Sequence, residues 1–196
     1  MAIGVEELLF AAVRVQSLLL ERGWRFCFIG GVAIQRWGNP RFTTDIDLTL
    51  LTGFGTEEGF VDELLRHLPP RRQDAREFAL LHRVLLARTP EGIEVDVALG
   101  ALPFEERCVA RASLWELHSG VTLTTCSAED LLTHKVFAGR GVDWGDAEQV
   151  LIRQHEKLNL AQVRAELKPL LELKDQPEAM TKLDDLIATV NRRLSA

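Results

Sequence analysis

At 196 residues, 46% hydrophobic and 27% charged, with a net charge of −6, the chain has the apolar content for a packed core and lacks the basic excess that broad binding to a nucleic-acid backbone requires. The last fifty residues carry eight basic and eight acidic side chains, so the negative excess lies in residues 1–146. No apolar run reaches the ~18 residues of a membrane span, and the amphipathic start, with Glu6, Glu7 and Arg14, lacks the pattern of a signal peptide.

In chain order, Val5, Leu8, Leu9, Ala12, Val15, Leu18 and Leu19 recur at helical spacing and predict a helix over 5–22, stopped by Gly23. Residues 26–29 read as a short strand broken by Gly30-Gly31, followed by a helix over 32–37 that ends at Gly38-Asn39-Pro40. A strand at 44–50, a helix at 57–68 closed by Pro69-Pro70, and a long β-prone run at 77–89 follow. Pro90-Glu91-Gly92 then makes a turn into a strand at 93–99. Residues 103–112 read as helix, and 114–117 with 121–124 as a hairpin through His118-Ser119-Gly120. From Ser127 the pattern is helical, over 127–139, 143–156, 160–173 and 177–194, with Ser127 and Asp130 as an N-cap pair. This divides the chain into a mixed α/β part, 1–124, and a helical part, 125–196.

Chemistry concentrates at few positions. Alternation along 44–50 puts Asp45 and Asp47 on one face, with Thr44, Ile46 and Leu48 on the other. Two carboxylates held that close repel, and a divalent cation is their natural partner; charges guarding an edge strand are the plainer alternative. Gly30-Gly31 leaves backbone N–H groups at a strand-to-helix junction, a place where phosphate can be cradled. In the strand at 93–99, Glu94 and Asp96 face opposite to Val95 and Val97, so Asp96 can join the first two acids if the strands are neighbours, and it can accept a proton from an attacking hydroxyl. Lys135 has its stem in the apolar stripe of its helix, where a lysine either snorkels outward or serves a site. Asp143 and Asp146 read as an N-cap and a first-turn acid of the next helix. Arg66, Arg71, Arg72, Arg76 and Arg83 cluster around Pro69-Pro70, most simply as a solvated basic face. Cys27, Cys108 and Cys126 are odd in number and far apart in sequence; they indicate neither a disulfide framework nor a zinc knuckle, and fit a reducing cytoplasm.

Gly30-Gly31-Val32-Ala33 followed by Arg41-x-Thr43-x-Asp45-Ile46-Asp47-Leu48 resembles the signature of the DNA polymerase β-like nucleotidyltransferase superfamily, and more narrowly its AbiEii/AbiGii toxin branch, which includes the MenT toxins. The order Glu129-Asp130-Leu131-Leu132-x-x-Lys135, then Asp143-x-x-Asp146, is similar to that branch as well, and the resemblance spans about residues 25–155. Gly-Gly replaces the superfamily's frequent Gly-Ser, and the chain is shorter than many toxin members. The resemblance implies a small mixed β-sheet flanked by helices and a C-terminal helical bundle. It implies Mg²⁺ held by Asp45 and Asp47 with Asp96 as third acid, and a catalytic set of Asp45, Asp47, Asp96 and Lys135. The implied nucleotide-binding set is Gly30, Gly31, Arg41, Thr43, Lys135 and Asp146. The expected reaction is transfer of a nucleotide from an NTP to an acceptor hydroxyl on an RNA end such as tRNA, a protein, or a small molecule such as an aminoglycoside. A cognate antitoxin is the expected partner and the membrane is not. A module of the same fold that binds nucleotide or a partner without catalysis is the alternative from a different class.

Overall fold

The computed structural model describes residues 4–118 and 120–195. The chain forms two compact units, Met1–Val32 with Phe42–Cys126, and Ala33–Arg41 with Ser127–Ala196.

The first unit is a mixed sheet with helices. Helix α1 (Val5–Glu21) buries Leu8, Ala11, Ala12, Val15 and Leu19 along one stripe and stops where Gly23 turns left-handed. Strand β1 (Phe26–Phe28) leads directly into helix α2 (Gly30–Trp37). The glycine pair is therefore the first turn of the helix, two residues earlier than its apolar pattern begins. Strand β2 (Asp45–Leu51) and helix α3 (Glu57–Leu65) come next, and then helix α4 (Ala75–His82) and strand β3 (Val84–Arg88). The β-prone reading of 77–89 holds only for its second half. Residues 75–82 are rich in Ala, Leu, Arg and Glu, all strong helix formers, and bury Ala75 and Ala79 on one helical face; Arg83, at φ 55°, ends the helix one residue before β3 begins. Strand β4 (Glu94–Gly100), helix α5 (Pro103–Arg111) and strands β5 (Ser113–His118) and β6 (Val121–Thr125) complete the unit. In the hairpin turn, Ser119 lies outside the described residues.

The sheet runs β3-β4-β2-β1-β6-β5, with β2 parallel to β4, β1 parallel to β6, and the other pairs antiparallel. Ile46, Leu48, Leu50, Val95, Val97 and Leu99 point to one face and join α1 in a buried core. Helix α5 contacts β1 and β2, and brings Cys108 Sγ to 3.7 Å from Cys27 Sγ. Those two cysteines, distant in sequence, are neighbours in the fold, and all three cysteines are buried and outside any disulfide. Thr44 is exposed and precedes the strand, so it takes no part in the core.

The second unit is helical. Helices α6 (Ala128–Ala138), α7 (Gly141–Gln154), α8 (Leu160–Lys174) and α9 (Glu178–Leu194) contact one another. They bury, among others, Leu132, Val150, Leu167 and Val190. The Ser127 hydroxyl caps α6 by accepting from the Asp130 N–H at 3.1 Å. Gly139, at φ 71°, closes α6, and α7 starts two residues later. Among the described residues no helix is long and apolar enough to cross a membrane.

Candidate active site

In the first unit, strand β2 lies between β4 and β1, so Asp45 and Asp47 do not guard an edge. The parallel register sets Asp47 opposite Asp96 and Asp45 opposite Glu94. Strand alternation then puts all four acids on the face opposite the apolar core. Thr43, buried just before the strand, donates from Oγ1 to Asp45 Oδ1 at 2.8 Å.

The glycines fit this face closely. A Cβ on Gly30 would meet Asp47 Oδ2 at 1.9 Å, and one on Gly31 would meet Thr43 Oγ1 at 2.3 Å. Gly30 also has φ +53°, a conformation that glycine adopts without strain. The Gly31 N–H points at Asp47 Oδ2, 3.4 Å away. The start of α2 therefore presses its bare backbone against the carboxylate strand.

Burial pushes the Asp96 carboxyl up to about 6; the Arg71 guanidinium opposes this, and the neighbouring charges of Asp47, Asp45 and Glu94 reinforce it. Arg71 Nη2 is 2.9 Å from Asp96 Oδ1, yet that oxygen is buried and accepts no hydrogen bond, so the contact is an ion pair without hydrogen-bond alignment. As the side chains stand, no three His, Cys, Asp or Glu among the described residues are gathered tightly enough to hold a metal ion. The donor set nonetheless suits a hard divalent cation: two adjacent carboxylates and, in register beside them, a third with an orphaned buried oxygen.

The second unit holds a separate ionic cluster. Lys135, in the last turn of α6, is buried; its Nζ donates to Asp143 Oδ1 at 3.2 Å and lies 2.8 Å from Asp146 Oδ2. Arg41 binds Asp146 through two parallel contacts, Nε to Oδ1 at 2.7 Å and Nη2 to Oδ2 at 2.8 Å. Arg140 Nε donates to Asp143 Oδ2 at 2.6 Å. Lys135 thus does not snorkel. Asp143 is not an N-cap: Arg140 occupies that position, and Asp143 sits inside the first turn, fully buried. Burial raises both carboxyls, but Arg140 and Lys135 at Asp143, and Arg41 and Lys135 at Asp146, outweigh it and hold them below the ordinary range. Sequence reasoning left Asp143 out of the site; the signal available was its spacing of three from Asp146.

The arginine cluster is neutralised. Arg66 pairs with Glu63, Arg72 with Asp74, Arg76 with Asp62 and Glu58, Arg83 with Glu57, and Arg71 with Glu94 and Asp96. It is not an unpaired basic face. A cavity of about 570 Å³ lies within the second unit, beside Trp144 and Lys182.

No curated protein matches the chain. Among solved structures, an antigenic nucleotidyltransferase-like protein from Paracoccidioides brasiliensis is 16% identical, with 93% of this chain and 94% of that one covered and a TM-score of 0.54. The antibiotic-resistance factor ANT(2'')-Ia is similar in its solution structure, at 16% identity, 89% and 96% coverage and a TM-score of 0.50. Its crystal structure with adenylyl-2"-tobramycin is similar at 14% identity, 87% and 99% coverage and a TM-score of 0.52. At these identities the likeness is one of fold, a nucleotidyltransferase fold over nearly the whole chain. The family model of the nucleotidyl transferase AbiEii toxin of type IV toxin–antitoxin systems matches residues 19–146, a span holding the glycine pair, the three aligned aspartates and the Lys135 cluster, and the chain belongs to that family.

Proposed function

We propose that the protein is a Mg²⁺-dependent nucleotidyltransferase, the toxin of a toxin–antitoxin pair, that moves a nucleoside monophosphate from an NTP to an acceptor hydroxyl. The observation that carries this reading is the alignment of Asp45, Asp47 and Asp96 on adjacent parallel strands against a glycine pair with no room for a Cβ. Asp45, Asp47 and Asp96 are the residues that would hold Mg²⁺. When bound, the ion supplies the charge that offsets the triphosphate and its leaving pyrophosphate. Gly30 and Gly31 leave bare backbone at the start of α2, where a phosphate can approach the helix N-terminus, and Thr43 fixes Asp45. Asp96, raised toward neutrality by burial, accepts the proton of the attacking hydroxyl. In the second unit Lys135 and Arg41 serve phosphate contacts, a role the resemblance implies, and Asp146, which both cations touch, orients them.

The acceptor is an RNA end, a protein or a small molecule. Because the arginine cluster is paired throughout, it adds no weight to RNA. The test is incubation with Mg²⁺ and each α-labelled NTP in four arms: total tRNA, aminoglycosides, a cell extract, and the protein alone. Label transferred in one arm and lost in Asp45→Ala/Asp47→Ala supports the reading and names the acceptor class. NTP bound with no transfer in any arm turns the reading to a non-catalytic module. Expression without a cognate antitoxin adds a cellular readout, since wild type should arrest growth and the double variant should not.

A further inference from the structure

Arg71 stands outside the sequence motifs and is not needed by the proposed reaction, yet it reaches the acid site. Its backbone is pinned to the outer edge of the sheet. The Arg71 N–H donates to Leu86 O at 3.0 Å, Arg88 N–H donates to Pro69 O at 2.9 Å, and Pro70 bridges to Ala87. Leu86 is opposite Asp96, and Asp96 is opposite Asp47. Arg71, Leu86, Asp96 and Asp47 therefore form one row across four neighbouring segments. At ~4.8 Å per strand, Arg71 starts about 10 Å from β4. Its side chain crosses Leu86 and ends between Glu94 and Asp96, with little exposure to solvent.

We propose that Arg71 is a built-in counter-cation that competes with the divalent metal for Asp96, so that the third carboxylate joins the site only when the metal displaces the guanidinium. This rests on the metal reading above and explains two facts together. The three acids are in register, yet among the described residues no three-ligand group is assembled as the side chains stand. Asp96 Oδ1 lies against Arg71 without accepting a hydrogen bond, so its lone pairs are held by charge alone and stay available. Glu94 holds the other end of the guanidinium, which gives Arg71 a partner after Asp96 turns away. Arg71 is thus a positioning residue that sets the metal concentration at which the site completes.

The test uses Mn²⁺ alone as probe on the full-length, nucleotide-free protein, with binding read by electron paramagnetic resonance or calorimetry. Arg71→Ala should bind Mn²⁺ about tenfold more tightly than wild type, within the usual range of coupling between competing ligands. Arg71→Lys, which keeps the charge but not the planar fork, should fall between them and guards against a misfolded alanine variant. In an Asp96→Asn background the Arg71 substitution should leave affinity unchanged, and Arg72→Gln, whose side chain is on Asp74, should leave it unchanged too. No tightening in either Arg71 variant, or equal tightening with and without Asp96, overturns the proposal while Mn²⁺ binding that requires Asp45 and Asp47 upholds the metal site. Absence of Mn²⁺ binding in wild type and all variants overturns the metal site and the proposal with it.

Discussion

At the residue scale, Asp96 and Gly30 carry opposite kinds of strain. The Asp96 carboxyl titrates at about 6 in the fold against 3.8 ordinarily, chiefly because of burial. An acid with a raised folded pKa destabilises the fold in its ionised form. The cost is absent below the ordinary value and complete above the folded one, so stability falls as pH rises between them. In metal-free protein, Asp96→Asn should therefore stabilise at pH 7.5, by about 1–3 kcal/mol, and do little at pH 3.5. Urea unfolding at the two pH values checks this, and a variant no more stable than wild type at pH 7.5 contradicts it. Gly30→Ala acts through space and backbone together. The new Cβ collides with Asp47 Oδ2, and φ +53° strains any side chain. We expect a loss of about 1–3 kcal/mol, with nucleotide transfer falling to the level of Asp47→Ala. The readouts are a thermal melt and the label-transfer assay, and an alanine variant with wild-type transfer would remove the glycine cradle from the reading.

At the element scale, the short connection from α6 to α7 sets Lys135 against Asp143 and Asp146. Breaking a buried ionic cluster by removing one partner leaves charges without compensation, and typically costs about 3–5 kcal/mol. Lys135→Ala should lose stability on that order, whereas Lys135→Ala/Asp143→Asn should recover part of it. Equilibrium unfolding of both variants measures the difference, and a single variant of wild-type stability would show the cluster to be energetically idle. This cluster also marks where sequence reasoning succeeds and stops. Strand alternation made Asp45, Asp47 and Asp96 legible, because period-two faces need only local spacing. Helical spacing made the burial of the Lys135 stem legible, but not the destination of its ammonium, which depends on the turn at Gly139. Arg71 was legible only as one basic residue among five, because its reach to Asp96 depends on a backbone bridge to β3 and a strand register. The helix at 75–82 was missed for a different reason: Phe78, Leu80 and Leu81 run on into the apolar residues of β3, and the left-handed turn that divides the two falls on Arg83, with no glycine or proline to mark it.

At the scale of the whole molecule, stability against pH is set by two opposed groups of carboxyls. Glu63 accepts from Arg22 and also from His67 and Arg66; the Arg22 contact is the largest cause that holds it down at about 2. Glu57, Asp62, Asp74, Glu91, Asp143 and Asp146 are lowered as well. A lowered folded pKa contributes stability that is complete above the ordinary value and is lost as pH falls through the folded one. For Glu63 that window runs from 4.5 down to about 2. Asp96 works in the other direction, adding stability as pH falls from about 6 toward 3.8. The sum predicts, for metal-free protein, greatest stability at roughly pH 4–5, with a descent on both sides. Two variants separate the limbs. Glu63→Gln should make the acid limb shallower, the other lowered carboxyls keeping the rest of it, and leave the slope between pH 5 and 7 as it was. Asp96→Asn should flatten that upper slope and leave the acid limb as it was. Urea midpoints taken at unit intervals from pH 3 to 8 resolve the two. A wild-type curve that climbs steadily through pH 7, or an Asp96→Asn curve parallel to wild type throughout, would mean that Asp96 does not bear the burial cost its position on β4 implies.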